Sequence, residues 1–339
     1  TATASPKGPL ASVRYNHAAT SARANGFVPI GPSVVSNATA VAESFNPTNF
    51  GYFGGGNPAS SKVNRIDYSN DTPTASTKGP LTAGRYALTA TGSSFGGYFG
   101  GGISPGPIVY STIDRIDYSN DTATATTKGP LSVARARFAA TGNASFGYFG
   151  GGDPNPQKSL IDRIDYSNDT ATASPKGRLS AAKRQNAATG NSSFGYFGGG
   201  DPGKVSTINR IDYSNDTPTT SVKGPLNTGR DRLAATGNAD FGYFGGGASP
   251  SDNSTVDRID YSNDTATASP KGPLSAARKE LAATGNSPFG YFGGGSPSNT
   301  TVDRIDYSND TATATAKGSL SGIGGRIAAT SAGANANPQ

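Results

Sequence analysis

Gly147-Tyr148-Phe149-Gly150-Gly151-Gly152 is one of six copies of a single phrase in this chain of 339 residues. A second phrase, Arg-Ile-Asp-Tyr-Ser-Asn-Asp-Thr, recurs six times in step with the first. Copies of each phrase lie 46 to 50 residues apart. A fixed period of this length is typical of propellers, solenoids and repeat arrays, so it predicts one repetitive domain rather than two or three ordinary ones.

The composition favours strands and tight turns over helices. Only 33% of the residues are hydrophobic, and the chain contains 47 glycines. Phe and Tyr nevertheless fall at fixed repeat positions, so each unit has side chains to bury and disorder is not expected. The absence of Cys excludes disulfides, thiolate metal sites and cysteine nucleophiles. The net charge of +6 favours an anionic partner without specifying one.

Each unit is predicted to form four short antiparallel strands, the layout of a propeller blade. The third segment alternates apolar and polar residues, as half-buried strands do. A Ser-Asn-Asp turn follows it, and Pro175-Lys176-Gly177 is expected to break the outer strand. In residues 135–180 the four predicted strands are Arg135 to Thr141, Phe146 to Phe149, Ile161 to Tyr166 and Thr170 to Ser174.

This order of segments resembles the kelch repeat over nearly the whole chain. The shared features are an aromatic strand ending in a glycine run, a variable loop, a strand ending in Asp-Tyr, and a Pro-Leu segment before an Arg. The resemblance implies an all-β propeller of four-stranded antiparallel blades. Kelch units usually carry a Trp on the outer strand, and the absence of Trp here implies thinner packing at the rim.

The number of blades depends on the chain ends. Six complete units run from about residue 38 to 320, and residues 1–20 echo residues 311–330. The termini are therefore expected to close the ring, making residues 1–339 a single propeller domain. Residues 22–46 are either an insertion or a degenerate blade. We favour seven blades. The alternative is six, with the C-terminal strand completing the first blade and the N-terminal segment forming an arm.

Two regions differ between the copies, and strand direction places both on one face of the ring, here called the variable face. They are the loop after the triple glycine and the triplet that follows a basic residue before the inner strand. Loops on one face of a rigid scaffold commonly carry binding, so this face is the predicted binding site; unconstrained drift of the loops is the alternative. The candidate residues are Tyr15, His17, Arg85, Tyr86, Arg135, Arg137, Lys183, Arg184, Arg230, Arg232, Arg278 and Lys279.

Charge follows the same division in the sequence. A basic residue precedes each inner strand on the variable face, and an aspartate ends each Ser-Asn-Asp turn on the opposite, uniform face. Faces of opposite charge suit head-to-tail stacking. The alternative is that the arginines pair between blades and the aspartates only form turns. The two sets are Arg14, Arg85, Arg135, Lys183, Arg230 and Arg278, and Asp71, Asp121, Asp169, Asp216, Asp264 and Asp310.

No catalytic, metal or cofactor site is predicted. Kelch-type rings include a copper oxidase with Cys, Tyr and His ligands, but this chain has no Cys and only His17. The Asp-Tyr-Ser-Asn-Asp phrase lacks the glycine and distal glutamate of helix-loop-helix calcium sites. The glycine runs lack the Gly-Lys-Ser/Thr of phosphate loops. Nucleic-acid binding is not expected because the aromatic residues occupy core positions, and no apolar stretch approaches the roughly 18 residues of a membrane span.

The sequence therefore favours a non-enzymatic structural or binding module on a virion, resembling repeat proteins of phage tail fibres and virion surfaces. Its expected partners are other structural subunits and an anionic cell-surface glycan. A bacterial extracellular adhesin or filament subunit is the alternative. A glycan-active enzyme is a third hypothesis, for which only Asp231 and Glu280 offer paired carboxylates near the channel mouth.

Overall fold

A computed structural model describes residues 47–154, 156–296 and 299–332 of the chain. Two units are distinguished, Thr1–Ser44 and Phe45–Gln339, and all described residues belong to the second. That unit contains six four-stranded antiparallel sheets, which confirms the predicted β-propeller. The predictions for residues 1–20 and 22–46, including those for Arg14, Tyr15 and His17, lie outside the described residues.

Each sheet is one blade, with its strands ordered from the channel to the rim. Blade 1 consists of β26 (Ala328–Ser331), β1 (Phe50–Gly54), β2 (Val63–Asp67) and β3 (Ser76–Lys78). Blades 2 and 3 consist of β4 (Thr89–Gly92), β5 (Gly96–Gly100), β8 (Ile113–Asp117) and β9 (Thr126–Lys128), then β10 (Ala139–Gly142), β11 (Phe146–Gly150), β12 (Leu160–Asp165) and β13 (Ser174–Arg178).

The remaining blades have the same layout. Blade 4 consists of β14 (Ala187–Gly190), β15 (Phe194–Gly198), β16 (Ile208–Asp212) and β17 (Ser221–Lys223). Blades 5 and 6 consist of β18 (Ala234–Gly237), β19 (Phe241–Gly245), β20 (Val256–Asp260) and β21 (Ser269–Lys271), then β22 (Ala282–Gly285), β23 (Phe289–Gly293), β24 (Val302–Asp306) and β25 (Thr315–Lys317). A hairpin in the blade 2 loop pairs β6 (Ile103–Ser104) with β7 (Ile108–Val109).

Single-turn 3-10 helices lie at Pro47–Asn49, Tyr118–Asn120, Tyr166–Asn168, Tyr261–Asn263 and Tyr307–Asn309. The last four follow a strand that ends in Asp. In blade 3 the Asp165 carboxylate accepts hydrogen bonds from the backbone N and the hydroxyl of Ser167, at 2.9 and 2.6 Å. The hydroxyl bond is the larger cause of a lowered Asp165 pKa. No helix among the described residues is long and apolar enough to cross a membrane.

The favoured seven blades are wrong, and the six-blade alternative is correct. Strand β26 pairs with β1, so the last described strand supplies the inner strand of the first blade. Blade 6 then packs directly on blade 1. Gly293 lies so close to the Phe53 ring that an added Cβ would be 2.6 Å from it. These contacts close the ring after six blades.

The triple glycine forms the wedge between neighbouring blades. An added Cβ at Gly150 would lie 2.6 Å from the Phe197 ring of blade 4. Gly151 and Gly152 have φ values of 84° and 103°, which residues other than glycine rarely adopt. The glycines thus allow both the close approach of the next blade and the sharp turn after the second strand.

An aspartate clamp joins each blade to the next on the uniform face. The Asp216 carboxylate of blade 4 accepts hydrogen bonds from Tyr148 and Arg163 of blade 3, at 3.0 and 2.8 Å. Lys176 adds an ion pair at 3.6 Å. All six blades repeat the clamp, and the Asp71 clamp to Tyr291 and Arg304 closes the ring. The acceptors are Asp71, Asp121, Asp169, Asp216, Asp264 and Asp310.

The outer strand lies a few residues later than the sequence indicated. Strand β13 contains Pro175, Lys176 and Gly177, which were expected to break it. Pro175 is tolerated because it lies on an edge strand, where a missing N–H does not interrupt the sheet. The preceding threonine-rich segment instead leads to Ala173, whose N–H donates to the Pro130 carbonyl of blade 2 at 2.8 Å.

Candidate ligand site at the channel mouth

The two variable regions contact each other on one face of the ring. Backbone bridges join the triplet before an inner strand to the loop after the triple glycine of the same blade. This follows from the antiparallel order, because the inner strand starts where the second strand ends. The bridges are Tyr86 to Ile103, Ala136 to Asp153, Arg184 to Asp201 and Asp231 to Ala248.

Five of the predicted site residues do not reach the surface of this face. Their side chains are at most 3% exposed, and they serve the interior of the blades. The acidic set is also neutralised, by the clamp arginines and lysines. The hypothesis of oppositely charged faces is therefore wrong. The five buried residues are Arg85, Arg135, Lys183, Arg230 and Arg278.

The buried arginines pair within their own blade, whereas the aspartates of the clamps join different blades. The Arg135 guanidinium donates to the Asp162 carboxylate at 2.8 Å, and both side chains are fully buried. It also donates to the carbonyls of Gly151 and Leu160, at 3.1 and 3.0 Å. The arginine thus holds the turn after the triple glycine against the inner strand.

Blade 4 replaces this buried pair by Lys183 and Asn209. The Lys183 ammonium donates to the carbonyls of Phe197 and Thr207, both at 3.3 Å, and no carboxylate of the described residues pairs with it. Burial lowers the pKa of Lys183 to about 8. The Asn209 amide donates to the Ser180 hydroxyl at 2.7 Å. Blade 4 therefore carries a buried cation where its own strands supply Asn209 in place of the aspartate of blade 3.

Stability should consequently rise with pH in the range where Lys183 loses its proton. Between the folded pKa of about 8 and the usual 10.5, the unfolded chain binds more protons than the folded one. The free energy of unfolding should therefore increase by up to about 1.4 kcal/mol per pH unit. Asn209→Asp supplies the carboxylate found in blade 3, raises the Lys183 pKa and should abolish this rise.

The measurement is urea unfolding of both proteins from about pH 7 to just below 10, where unfolded tyrosines begin to ionise. The buried tyrosines are identical in the two proteins, so the difference between the curves isolates Lys183. Parallel stability curves would contradict the account.

A closed ring of backbone hydrogen bonds surrounds the mouth of the channel. In each blade the residue two positions before the inner strand donates its N–H to the carbonyl of the equivalent residue in the preceding blade. Six such bonds of 2.6 to 2.9 Å complete the circle. All six residues have left-handed backbone, with φ from 55° to 60°, and none is glycine. We call them the mouth ring: Ala87, Arg137, Gln185, Arg232, Glu280 and Arg326.

The left-handed backbone has a cost that the ring of bonds offsets. A residue other than glycine loses roughly 1–2 kcal/mol in this conformation. Strained positions of this kind persist where the surroundings fix them, and they cluster at binding sites. The mouth ring combines this uniform backbone with four different residue types, Ala, Arg, Gln and Glu, so its side chains vary on a fixed backbone.

The mouth ring opens into a cavity of about 140 Å³. Beneath it lies a second ring of five apolar side chains and one amide, followed by rings of Ala and Thr. The second-ring residues are Leu88, Phe138, Asn186, Leu233, Leu281 and Ile327. A smaller space of about 30 Å³, lined mainly by Ala and Thr, continues toward the uniform face.

On one side of the mouth, ion pairs form a chain between blades 3 and 4. Arg137 pairs with Asp153 at 2.8 Å, and Arg184 pairs with the same carboxylate at 3.1 Å. Arg184 also pairs with Asp201 at 3.0 Å. These four side chains are largely satisfied by one another.

The other side of the mouth is less well paired. Glu280 pairs with Arg326 at 2.9 Å. Arg232 lies between two carboxylates but reaches neither closely, at 3.8 Å from Glu280 and 4.0 Å from Asp231. Its buried Nε has no hydrogen-bond partner in the described part of the chain, and neither has the Oδ1 atom of Asp231. Arg232 is 35% exposed, so it is accessible from the cavity.

Asn186 is the polar member of the second ring. It is 6% exposed, and neither its amide nitrogen nor its amide oxygen has a partner among the described residues. A buried amide without partners costs roughly 1–3 kcal/mol, so an apolar side chain would be the stable choice here. Blades 2, 5 and 6 have Leu at this position.

Of the predicted surface residues, Arg137 and Arg232 lie in the mouth ring. Tyr86, Arg184 and Lys279 occupy the adjacent triplet position. Sequence reasoning left Gln185, Asn186 and Arg326 out of the binding set and considered Glu280 only for catalysis. The available signal was the second triplet position, which is positive, negative or neutral in different copies.

No family model matches the chain, and no curated protein matches it. Among solved structures, the structure of YjhT is similar with a TM-score of 0.63 and 12% sequence identity. The match covers 79% of this chain and 94% of YjhT. At this identity the likeness shows the fold alone, and the fold it shows is the β-propeller.

Proposed function

We propose that the protein is a non-enzymatic binding module whose variable face binds a cell-surface glycan. One observation carries the proposal: a uniform, strained backbone ring presents different polar side chains around an open cavity. Arginine, glutamate and glutamine together offer the mixed donors and acceptors that sugar hydroxyls and carboxylates require. Left-handed backbone at non-glycine positions clusters at ligand sites, and six such positions surround this cavity.

Display on a virion is the second part of the proposal. The near-identical units of small residues, without Cys, Met or Trp, resemble repeat proteins of phage fibres. The aspartate clamps join all six blades through buried carboxylates, and a rigid ring of this kind suits an exposed particle surface. A bacterial adhesin or filament subunit is the alternative, with the same face in contact with its partner.

Electron microscopy of the native source material at side-chain resolution distinguishes these settings. We expect the ring in fixed register on a tail, fibre or capsid, with the variable face directed outward. A ring bound within a bacterial filament would favour the alternative. A free ring would contradict the assembly role and leave glycan binding to be tested separately.

Binding is tested on a glycan array and on intact host cells. The double variant Tyr86→Ala/Lys279→Ala removes two side chains beside the mouth, and we expect at least about tenfold weaker binding. Arg178→Gln is the control, because Arg178 is exposed at the end of β13. Equal binding by the double variant and the control would contradict a role for the variable face.

The enzyme alternative depends on Asp231 and Glu280, both of which lie within 4.0 Å of Arg232. We expect no turnover of glycans by the native protein. Product formation that is lost in Asp231→Asn/Glu280→Gln would overturn the non-enzymatic proposal.

A further inference from the structure

We propose that the channel mouth takes a single terminal sugar that carries a carboxylate, a hexuronic acid in its pyranose form. The inference rests on the proposed function and specifies which part of the glycan the variable face recognises. It follows from the size of the cavity, from an arginine at its wall that has only long ion pairs, and from the buried amide beneath, which has no partner among the described residues.

Cavity size sets the length of the ligand. A water needs about 10–15 Å³ on this measure, so the 140 Å³ cavity holds the equivalent of roughly ten waters. That volume suits one monosaccharide. The 30 Å³ space below has room for only about two waters. A sugar therefore stops at the mouth, and the rest of its glycan extends over the variable face.

Arg232 is the group that selects a carboxylate. Its guanidinium is held between Asp231 and Glu280 at distances too long for hydrogen bonds. Arg137 and Arg326, by contrast, each have a carboxylate within 2.9 Å. A guanidinium binds a carboxylate through two parallel N–H···O bonds. A ligand carboxylate would supply the close partner that Arg232 lacks.

The remaining polar groups suit hydroxyls. The amide of Asn186 can donate to one hydroxyl and accept from another, and no described residue satisfies it. Glu280, whose side chain is only 9% exposed, can accept a hydrogen bond from a hydroxyl without leaving Arg326. Beside them, Leu233 and Leu281 offer an apolar wall. A pyranose presents a C–H face and hydroxyl edges, which matches this combination.

Isothermal titration calorimetry with the methyl glycosides of galacturonic and glucuronic acid tests the proposal. Galactose and glucose methyl glycosides are the neutral probes of the same ring size. We expect at least one acid to bind about tenfold or more tightly than its neutral counterpart. Arg232→Gln should abolish this preference, and Arg232→Lys should restore only part of it, because a single ammonium lacks the paired donors.

Asn186→Leu keeps the residue type of blades 2, 5 and 6, so it should fold at least as stably as the native protein. We expect it to weaken the binding of acidic and neutral sugars alike by about tenfold, because it removes a hydrogen-bond partner of a sugar hydroxyl. Arg178→Gln matches the charge change of Arg232→Gln at the rim and should leave binding unchanged.

Equal affinity for the acidic and the neutral sugars would contradict the inferred preference for a carboxylate. If Arg232→Gln and Arg178→Gln bound the acids equally well, Arg232 would not be the residue that recognises the carboxylate. Failure of this inference can be distinguished from failure of the proposed function. If cells and arrays are still bound by Arg232→Gln and Asn186→Leu, the variable face binds elsewhere and only the channel inference fails. If the native protein binds neither cells, arrays nor monosaccharides, both proposals fail.

Discussion

Asp162→Asn is expected to lower the free energy of unfolding by about 3–5 kcal/mol, because it leaves the buried Arg135 cation without its counter-charge. Both side chains are fully buried. The Asp162 carboxylate also accepts hydrogen bonds from the Ser132 N–H and hydroxyl, at 3.1 and 2.6 Å. The change keeps the shape of the side chain, removes its charge and replaces one of its two acceptor oxygens by a donor nitrogen. Equilibrium unfolding in guanidinium at neutral pH measures the loss.

Blade 4 provides the matched control. The double variant Arg135→Lys/Asp162→Asn gives blade 3 the buried residues of blade 4, Lys183 and Asn209. A lysine can lose its proton when buried, whereas an arginine stays charged, so the double variant should recover part of the stability. A cost below about 1 kcal/mol for Asp162→Asn would mean that the pair contributes little and would contradict the argument.

Gly129→Ala is expected to cost about 3 kcal/mol or more, because the new methyl group would overlap a backbone carbonyl that cannot rotate away. Gly129 follows β9 of blade 2, and its Cβ would coincide with the carbonyl of Ala171 in blade 3. The Gly129 N–H donates to the Asp169 carbonyl at 2.8 Å, and this bond would also be lost. Thermal and chemical unfolding both measure the effect.

Gly106→Ala is the matched substitution in a loop. Gly106 has a φ of 89° but nothing within 4 Å of an added Cβ. Only backbone strain applies there, and we expect a cost of about 1 kcal/mol. Equal losses for the two variants would show that close approach between blades is not the cause. The same overlap recurs at Gly79, Gly177, Gly224, Gly272 and Gly318.

The sequence-based prediction failed where a charged residue was assumed to be exposed. Arg135 was predicted to lie at the surface. Its partner Asp162 is 27 residues away, in another phrase of the repeat, so the buried pair was not recognised. The copies do contain the signal, since Arg occurs with Asp in blades 2, 3, 5 and 6, and Lys occurs with Asn in blade 4. A comparison of the two positions together predicts a contact, whereas either position alone does not.

The channel site was predictable in part. The triplets that vary between copies mark the correct face, because antiparallel strands bring their loops to one end. Asn186 was missed because its significance depends on the five apolar residues that occupy the same ring. Arg326 was missed because it precedes β26, the strand near the C-terminal end of the chain that completes blade 1.

The sequence by itself determined the blade: its strand order, its glycine turns and the aromatic residues that fill the wedge. These features are local and repeat with a fixed period, so each copy specifies the same unit. Only the tertiary structure decided that the ring closes at six blades, that the basic residues are buried and that one arginine lacks a close partner. Each of these depends on contacts between distant residues, such as Gly54 of β1 and Ala328 of β26. The spacing along the chain does not fix such pairings, because they depend on the angle at which one blade packs on the next.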